Sequence, residues 1–161
     1  MPTNLYGAGD NYDSKTSHVM AALIKKFYEA KKLSLPSVTC WGTGQPLREF
    51  LHVDDLAEAA VFLLENWDPK SPFAPKDVNG DSITILNVGT GLEISIKELA
   101  FKIAKYINYK GKIMWDTTKP DGTPRKRLNI NRVKKLGWQP KISLDEGIKQ
   151  TLKSFEKEIQ K

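Results

Sequence analysis

The 161-residue chain has only one cysteine, Cys40, and two histidines, His18 and His52. A lone cysteine excludes an internal disulfide and suits a reducing cytosol, so a cytoplasmic location is expected. Positions 18, 40 and 52 have no metal-ligand spacing, and no metal site is expected. No apolar run approaches the roughly 20 residues of a membrane-spanning helix. The opening "MPTNLYGAGDNYDSK" lacks the basic-then-apolar order of a secretory leader. There is no Walker loop and no Gly-x-Gly-x-x-Gly. "GAG" at 7–9 and "GTG" at 42–44 and 89–91 lack the third glycine and a strand-turn-helix setting. The net charge of +6 invites an anionic partner, but the basic residues form no tract of five. The four tryptophans, at 41, 67, 115 and 138, are not interleaved with that charge as in RNA-recognition modules. A basic module binding nucleic acid is therefore the weakest functional reading.

What the sequence does hold is helical periodicity with clear starts. After Ser17, Met20, Leu23, Ile24 and Phe27 recur at helical spacing as far as Lys31–Lys32. Asp55 with Glu58, Ser95 with Glu98 and Ser143 with Glu146 each form a capping-box pattern ahead of an apolar stripe. A short helix is expected from Asn131 to Leu136, stopped by Gly137. Strands are expected at "SVTCW" (37–41), "EFLHV" (49–53), "ITILNVG" (83–89) and "KIMWD" (112–116), and a proline-rich loop at 66–82. Strands alternating with helices indicate an α/β fold. The strands are few and short, and the first begins more than thirty residues in, as in a part of a larger α/β protein.

Several residues carry candidate chemistry. Tyr28–Lys32 and Tyr106–Lys110 match Tyr-x-x-x-Lys, but both end amphipathic helices, where such pairs arise by chance. His18 opens a helix behind a polar loop. The positive end of the helix dipole favours a neutral imidazole there, a setting suited to proton transfer. The plainer reading is a solvent-exposed first-turn histidine. His52, inside an apolar strand, reads as a hydrogen-bonded structural residue, and Cys40 as core packing. "TTKPDGTPRKR" (117–127) stiffens a loop with two prolines and a glycine while presenting Lys119, Arg125, Lys126 and Arg127. Guanidinium forks and loop amides match phosphate oxygens, so this loop and Arg48 are candidates for an anionic ligand.

Taken in order, "PTNLYG", "SHVMAALI", "WGTGQPLREFLHVDDLAEA", "LNVGTG", "SIKELA" and "KPDGTPRK" resemble the GDP-L-fucose synthases. These are extended short-chain dehydrogenase/reductases that epimerise GDP-4-keto-6-deoxy-D-mannose at C3 and C5 and reduce its 4-keto group with NADPH. "KPDGTPRK" and the Ser-His pair are the motifs closest to this family alone. The resemblance implies that His18 is the epimerisation acid. It implies that Lys26, Trp41, Arg48 and Lys119 contact the GDP-sugar, and Arg125 of the basic loop is expected to bind the same substrate. Asn4 and Leu5 would lie beside the nicotinamide.

It further implies that residues 1–161 form a single C-terminal GDP-sugar-binding lobe of a Rossmann-type enzyme. The half that binds most of the NADP and carries the reducing triad and catalytic cysteine would be absent. The full enzyme would be a homodimer, with no nucleic-acid or membrane partner. The isolated chain would be inactive, because hydride transfer needs a bound dinucleotide and a proton donor. Such a lobe would also expose apolar surface, so self-association or marginal stability is expected. Ala8 departs from a usual proline, and Lys25–Lys26 stand where arginines are common, which weakens bidentate diphosphate contact at Lys26. Another nucleotide-sugar epimerase or dehydratase is the alternative within the class.

Overall fold

The computed structural model describes residues 1–160. In chain order the elements are β1 (Asn4–Tyr6), α1 (Val19–Lys32), β2 (Ser37–Trp41), β3 (Leu47–Arg48), β4 (Phe50–His52) and α2 (Val53–Asn66). They continue with β5 (Ile94–Ser95), α3 (Ile96–Ile107), β6 (Lys112–Asp116), β7 (Arg125–Lys126), α4 (Asn131–Lys135) and α5 (Leu144–Glu158). The strands form three small sheets. β1 pairs parallel with β4, β2 pairs parallel with β6, and β3 lies between antiparallel β5 and parallel β7.

Two packed clusters hold these elements. Met20, Ile24 and Phe27 of α1 meet Leu99 and Ile103 of α3, Ile148 and Phe155 of α5, and Val38 and Cys40 of β2. The stripe expected on α3 is buried along its length, and its Ser95–Glu98 capping box is complete. Asn108 ends the helix in the left-handed conformation that asparagine tolerates. The second, smaller cluster gathers Leu51, Ala59, Val88, Ile130, Val133 and Trp138.

Three local expectations fail, each for a physical reason. β1 was not expected, because "NLY" between a proline and a glycine is too short to show periodicity. It exists because β4 supplies a ladder from Asn4↔Phe50 to Tyr6↔His52. Conversely, 83–89 has strand composition but finds a partner at one point only, the Pro2↔Val88 bridge, and forms no strand. Finally, α2 begins two residues before Asp55. His52 is its N-cap, accepting the Asp54 N–H through Nδ1 at 3.3 Å. Asp55 is instead buried, its two oxygens accepting the Lys141 and Ile142 N–H groups at 3.0 Å each.

Among the described residues, no helix is long and apolar enough to cross a membrane, and no cluster of three or more His, Cys, Asp or Glu could hold a metal ion.

Candidate active site

A cleft of about 670 Å³ opens between the loop entering α1, the first turns of that helix and the outer end of β2. Ser17, Val19, Lys26, Cys40 and Trp41 line it. Strand alternation explains how β2 contributes. Val38 and Cys40 point into the core, and Ser37, Thr39 and Trp41 point out. Trp41 is consequently 70% exposed. The Lys26 ammonium donates to the Thr39 carbonyl at 2.8 Å, which holds its charge at the cleft wall. Cys40 is buried, and burial pushes its thiol pKa up against the pull of Lys26, so it is a packing residue.

The basic loop closes on the same tryptophan. The Lys119 ammonium lies 5.8 Å from the centre of the Trp41 ring. Asp121 ties this loop to the turn after β2, accepting the Thr43 N–H at 2.9 Å and its hydroxyl at 2.6 Å. Those bonds hold the Asp121 carboxyl below the usual carboxylate range. Gly42, at φ +75°, has no room for a side chain, because a Cβ there would meet Asp121 Oδ1 at 2.2 Å.

Arg48 is half-buried on β3, its Nη1 donating to the Leu47 carbonyl at 2.8 Å. A Cβ on Gly122 would lie 3.0 Å from Arg48 Nη2, so the guanidinium lies against the basic loop. Arg125 behaves differently. Its Nε and Nη2 both bond the Glu93 carboxyl, which also lies 3.6 Å from Arg127. The fork expected for a phosphate is occupied by an acid, and Glu93 is held below its ordinary pKa by it.

His18 is exposed, caps α1 without a side-chain bond to the helix, and stands between Ser17 and Val19 of the cleft lining. Asn4 and Leu5 lie apart on β1, where the Asn4 amide donates to the Glu49 carbonyl at 2.7 Å. Lys26 and Trp41 thus line the cleft and Lys119 joins them over the Trp41 ring, while His18, Arg48, Arg125, Asn4 and Leu5 are not among its lining residues. The Tyr-x-x-x-Lys pairs are structural: Tyr28 packs edge-on against Phe155 at 5.3 Å, and the Tyr106 hydroxyl donates to Asp145 at 2.5 Å.

Two residues escaped the sequence reading. Glu49, between β3 and β4, is fully buried, and its oxygens accept the Gly91 N–H at 2.7 Å and the Leu128 N–H at 2.8 Å. A Cβ on Gly89 would meet its Oε1 at 2.2 Å, which explains the glycine in "NVGTG". An acid inside the apolar run "REFLHV" was the available signal, since buried carboxyls are found hydrogen-bonded. Asp121 was hidden inside a loop valued for its basic residues.

Against known proteins, residues 1–79 match the model of the NAD dependent epimerase/dehydratase family. The chain is 45% identical over 159 residues to GDP-L-fucose synthase 1 of Arabidopsis thaliana, covering 99% of this chain and 45% of that protein. It is 44% identical over 163 residues to the GDP-L-fucose synthase of Escherichia coli, covering 96% of this chain and 47% of that protein. The crystal structure of a GDP-L-fucose synthetase from Naegleria fowleri bound to NADP superposes with a TM-score of 0.83 at 26% identity. It covers 99% of this chain and 44% of that one. The chain therefore spans about half the length of the relatives it matches, with the α/β fold of Rossmann-type enzymes.

Proposed function

We propose that this chain supplies the GDP-sugar-binding part of an NADP-dependent epimerase/reductase that converts GDP-4-keto-6-deoxy-D-mannose to GDP-L-fucose. The observation that carries this reading is a cleft lined by Lys26 and the exposed Trp41, with Lys119 over the Trp41 ring. The length-wise similarity to GDP-L-fucose synthases supports it.

The geometry supports a division of labour. An exposed indole ring offers a flat apolar face for a nucleobase or sugar. Lys26 and Lys119 offer point charges for the diphosphate, and Arg48 borders the loop that carries Lys119. His18, exposed at the start of α1 between two residues that line the cleft, donates protons to the sugar during epimerisation. Arg125 orders the loop by pairing with Glu93 and acts on the ligand indirectly.

A nicotinamide cofactor fits these residues only at a margin. β1 ends beside β4 with both strands running in the same direction, the strand-end setting in which such folds hold ligands. Asn4 and Leu5 would border the nicotinamide there. The sequence has no glycine-rich strand-turn-helix loop to cradle the pyrophosphate. The chemistry a bound cofactor supplies is hydride delivery to the 4-keto carbon. We place its main binding site outside this chain, and the complete enzyme in the cytoplasm as a homodimer.

Calorimetric titration with GDP, GDP-mannose and UDP-glucose tests the reading. Guanine nucleotides should bind in preference to UDP-glucose, and Trp41→Ala should weaken that binding about 5- to 150-fold, the ~1–3 kcal/mol of a lost stacking partner. Equal binding of UDP-glucose would overturn the GDP assignment. Absence of binding by all three would show that this cleft is not a nucleotide site by itself.

A further inference from the structure

Two open edges flank the sheet of β2 and β6, and the chain treats them differently. The Lys112 N–H donates to the Pro36 carbonyl at 2.9 Å, and the Asp116 carbonyl accepts the Gly42 N–H at 2.9 Å. Strand alternation therefore turns the main chain of Thr39 away from β6, and that of Ile113 and Trp115 away from β2. On the β2 side the Lys26 ammonium bonds the Thr39 carbonyl at 2.8 Å, a charge that blunts the edge. On the β6 side, among the described residues, nothing from outside the sheet bonds the Ile113 or Trp115 main chain.

Beside this bare edge lies a groove of about 500 Å³, between β6 and the later turns of α3. Phe101 of α3 is 51% exposed there, and Met114 of β6 is 50% exposed. An apolar groove along an unpaired strand fits another strand and the helix that covers it.

The residues of the strand indicate which one. β6 reads Lys-Ile-Met-Trp-Asp, with a cation at one end, an anion at the other and Met114 at the centre. We propose that β6 pairs with β6 of a second copy of this chain, antiparallel about a two-fold axis at Met114. Ile113 then lies opposite Trp115 of the second copy, and each such pair exchanges main-chain hydrogen bonds through the groups left bare. Lys112 lies opposite Asp116 of the second copy at both ends, on the same face as Met114. The Thr118 hydroxyl and N–H donate to the Asp116 carboxyl at 2.6 and 3.1 Å and hold it below the usual carboxylate range. It therefore meets Lys112 as an anion. In-register parallel pairing would set Lys112 against Lys112, so the antiparallel register is the self-complementary one.

The result is one sheet in the order β2–β6–β6–β2. Ile113 and Trp115 pack with α3, so both copies of that helix lie on the same face of the joined sheet. The two Phe101 rings cover the groove from that face, while Lys105 at its rim is long enough to keep its ammonium in water. The basic loop leaves β6 directly after Asp116, so pairing also steadies the start of the segment that brings Lys119 to Trp41.

Sedimentation equilibrium and hydrogen exchange of the chain without nucleotide test the pairing. The parent should dimerise, and the Ile113 and Trp115 amides should exchange more slowly as its concentration rises. Lys112→Asp or Asp116→Lys sets like charges opposite each other at both ends, and should weaken the dimer about tenfold or more. An equimolar mixture of the two variants should dimerise again, because the two acids of one copy then face the two lysines of the other.

A parent chain that stays monomeric overturns the proposal, as does a dimer that Lys112→Asp leaves intact. A mixture of folded variants that stays monomeric does the same. Should circular dichroism show Asp116→Lys unfolded, the amides of the parent decide, and protection of Ile113 and Trp115 that ignores concentration overturns the pairing. Pairing does not depend on what the cleft binds. Failure here leaves the GDP-sugar reading standing, and failure of that reading leaves the dimer measurable.

Discussion

The two clusters are held in different ways. Around α1, α3, α5 and β2, apolar stripes meet one another, and Ile24, Phe27, Leu99, Ile103 and Ile148 have no exposure at all. On the side of α2, β1 and β4, the apolar cluster is small, and two buried acids do much of the joining. Glu49 ties β4 to the loops at Gly91 and Leu128, and Asp55 ties α2 to the segment entering α5. The outer face of α2 is meanwhile open. Ala57, Ala60, Val61 and Leu64 share one stripe at i, i+3, i+4 and i+7, and Leu64 is 87% exposed. One region is self-sufficient, and the other is tied down on one side and uncovered on the other.

The sharpest way to break this contrast is in the first region. Ile103→Ala removes a fully buried side chain from the packed stripe of α3, and should cost about 2–5 kcal/mol in urea denaturation. The acid-tied region should respond to chemistry rather than volume. Glu49→Gln keeps the shape but turns one acceptor into an amide donor facing a backbone N–H. A loss of about 1–3 kcal/mol is expected, with the loops at Gly91 and Leu128 losing protection in hydrogen exchange before the rest. If exchange instead rises uniformly, Glu49 is a packing residue and the contrast fails. The open stripe should show the opposite pattern. Leu64→Ala should change stability by no more than about 0.5 kcal/mol, and Leu64→Glu should shift sedimentation toward monomer if copies of the chain meet through this face. Unchanged sedimentation would mean that copies do not meet through this face.

The same contrast explains what could be read in advance. α1, α3 and α5 were legible because their stripes are local signals, as are the Ser–Glu caps of α3 and α5, and β2 and β6 because five-residue β-rich runs leave little ambiguity. The uncovered side was harder. β1 is defined by its partner rather than by its own residues, and 83–89 has strand composition without a ladder to join. Asp55 looked like a helix cap because its spacing to Glu58 is right, yet His52 caps the helix and Asp55 bonds a segment 86 residues away. Long-range satisfaction of a buried acid leaves almost no trace in local pattern.

For the site, residue types were legible and commitments were not. Trp41 and Lys119 meet, but nothing in "TPRK" announces that Glu93 holds Arg125.

The smallest expected effect lies at the edge of the self-sufficient region, where Asp145 of α5 meets Lys102 and Tyr106 of α3. Lys102 first, then the Tyr106 hydroxyl, lowers the Asp145 pKa. A carboxyl whose folded pKa is depressed adds stability above its unfolded pKa, about 4, and loses it as pH falls through the folded value. The pair is near the surface, with 34% and 47% of the two side chains exposed, so solvent screening limits it to about 0.5 kcal/mol or less. Asp145→Asn should therefore lower stability slightly at pH 7 and flatten its decline below pH 4, and 0.5 M salt should shrink the difference. A loss in Asp145→Asn comparable to that of Glu49→Gln would mean that the apolar region also depends on an acid, and that the two regions are not held by different forces.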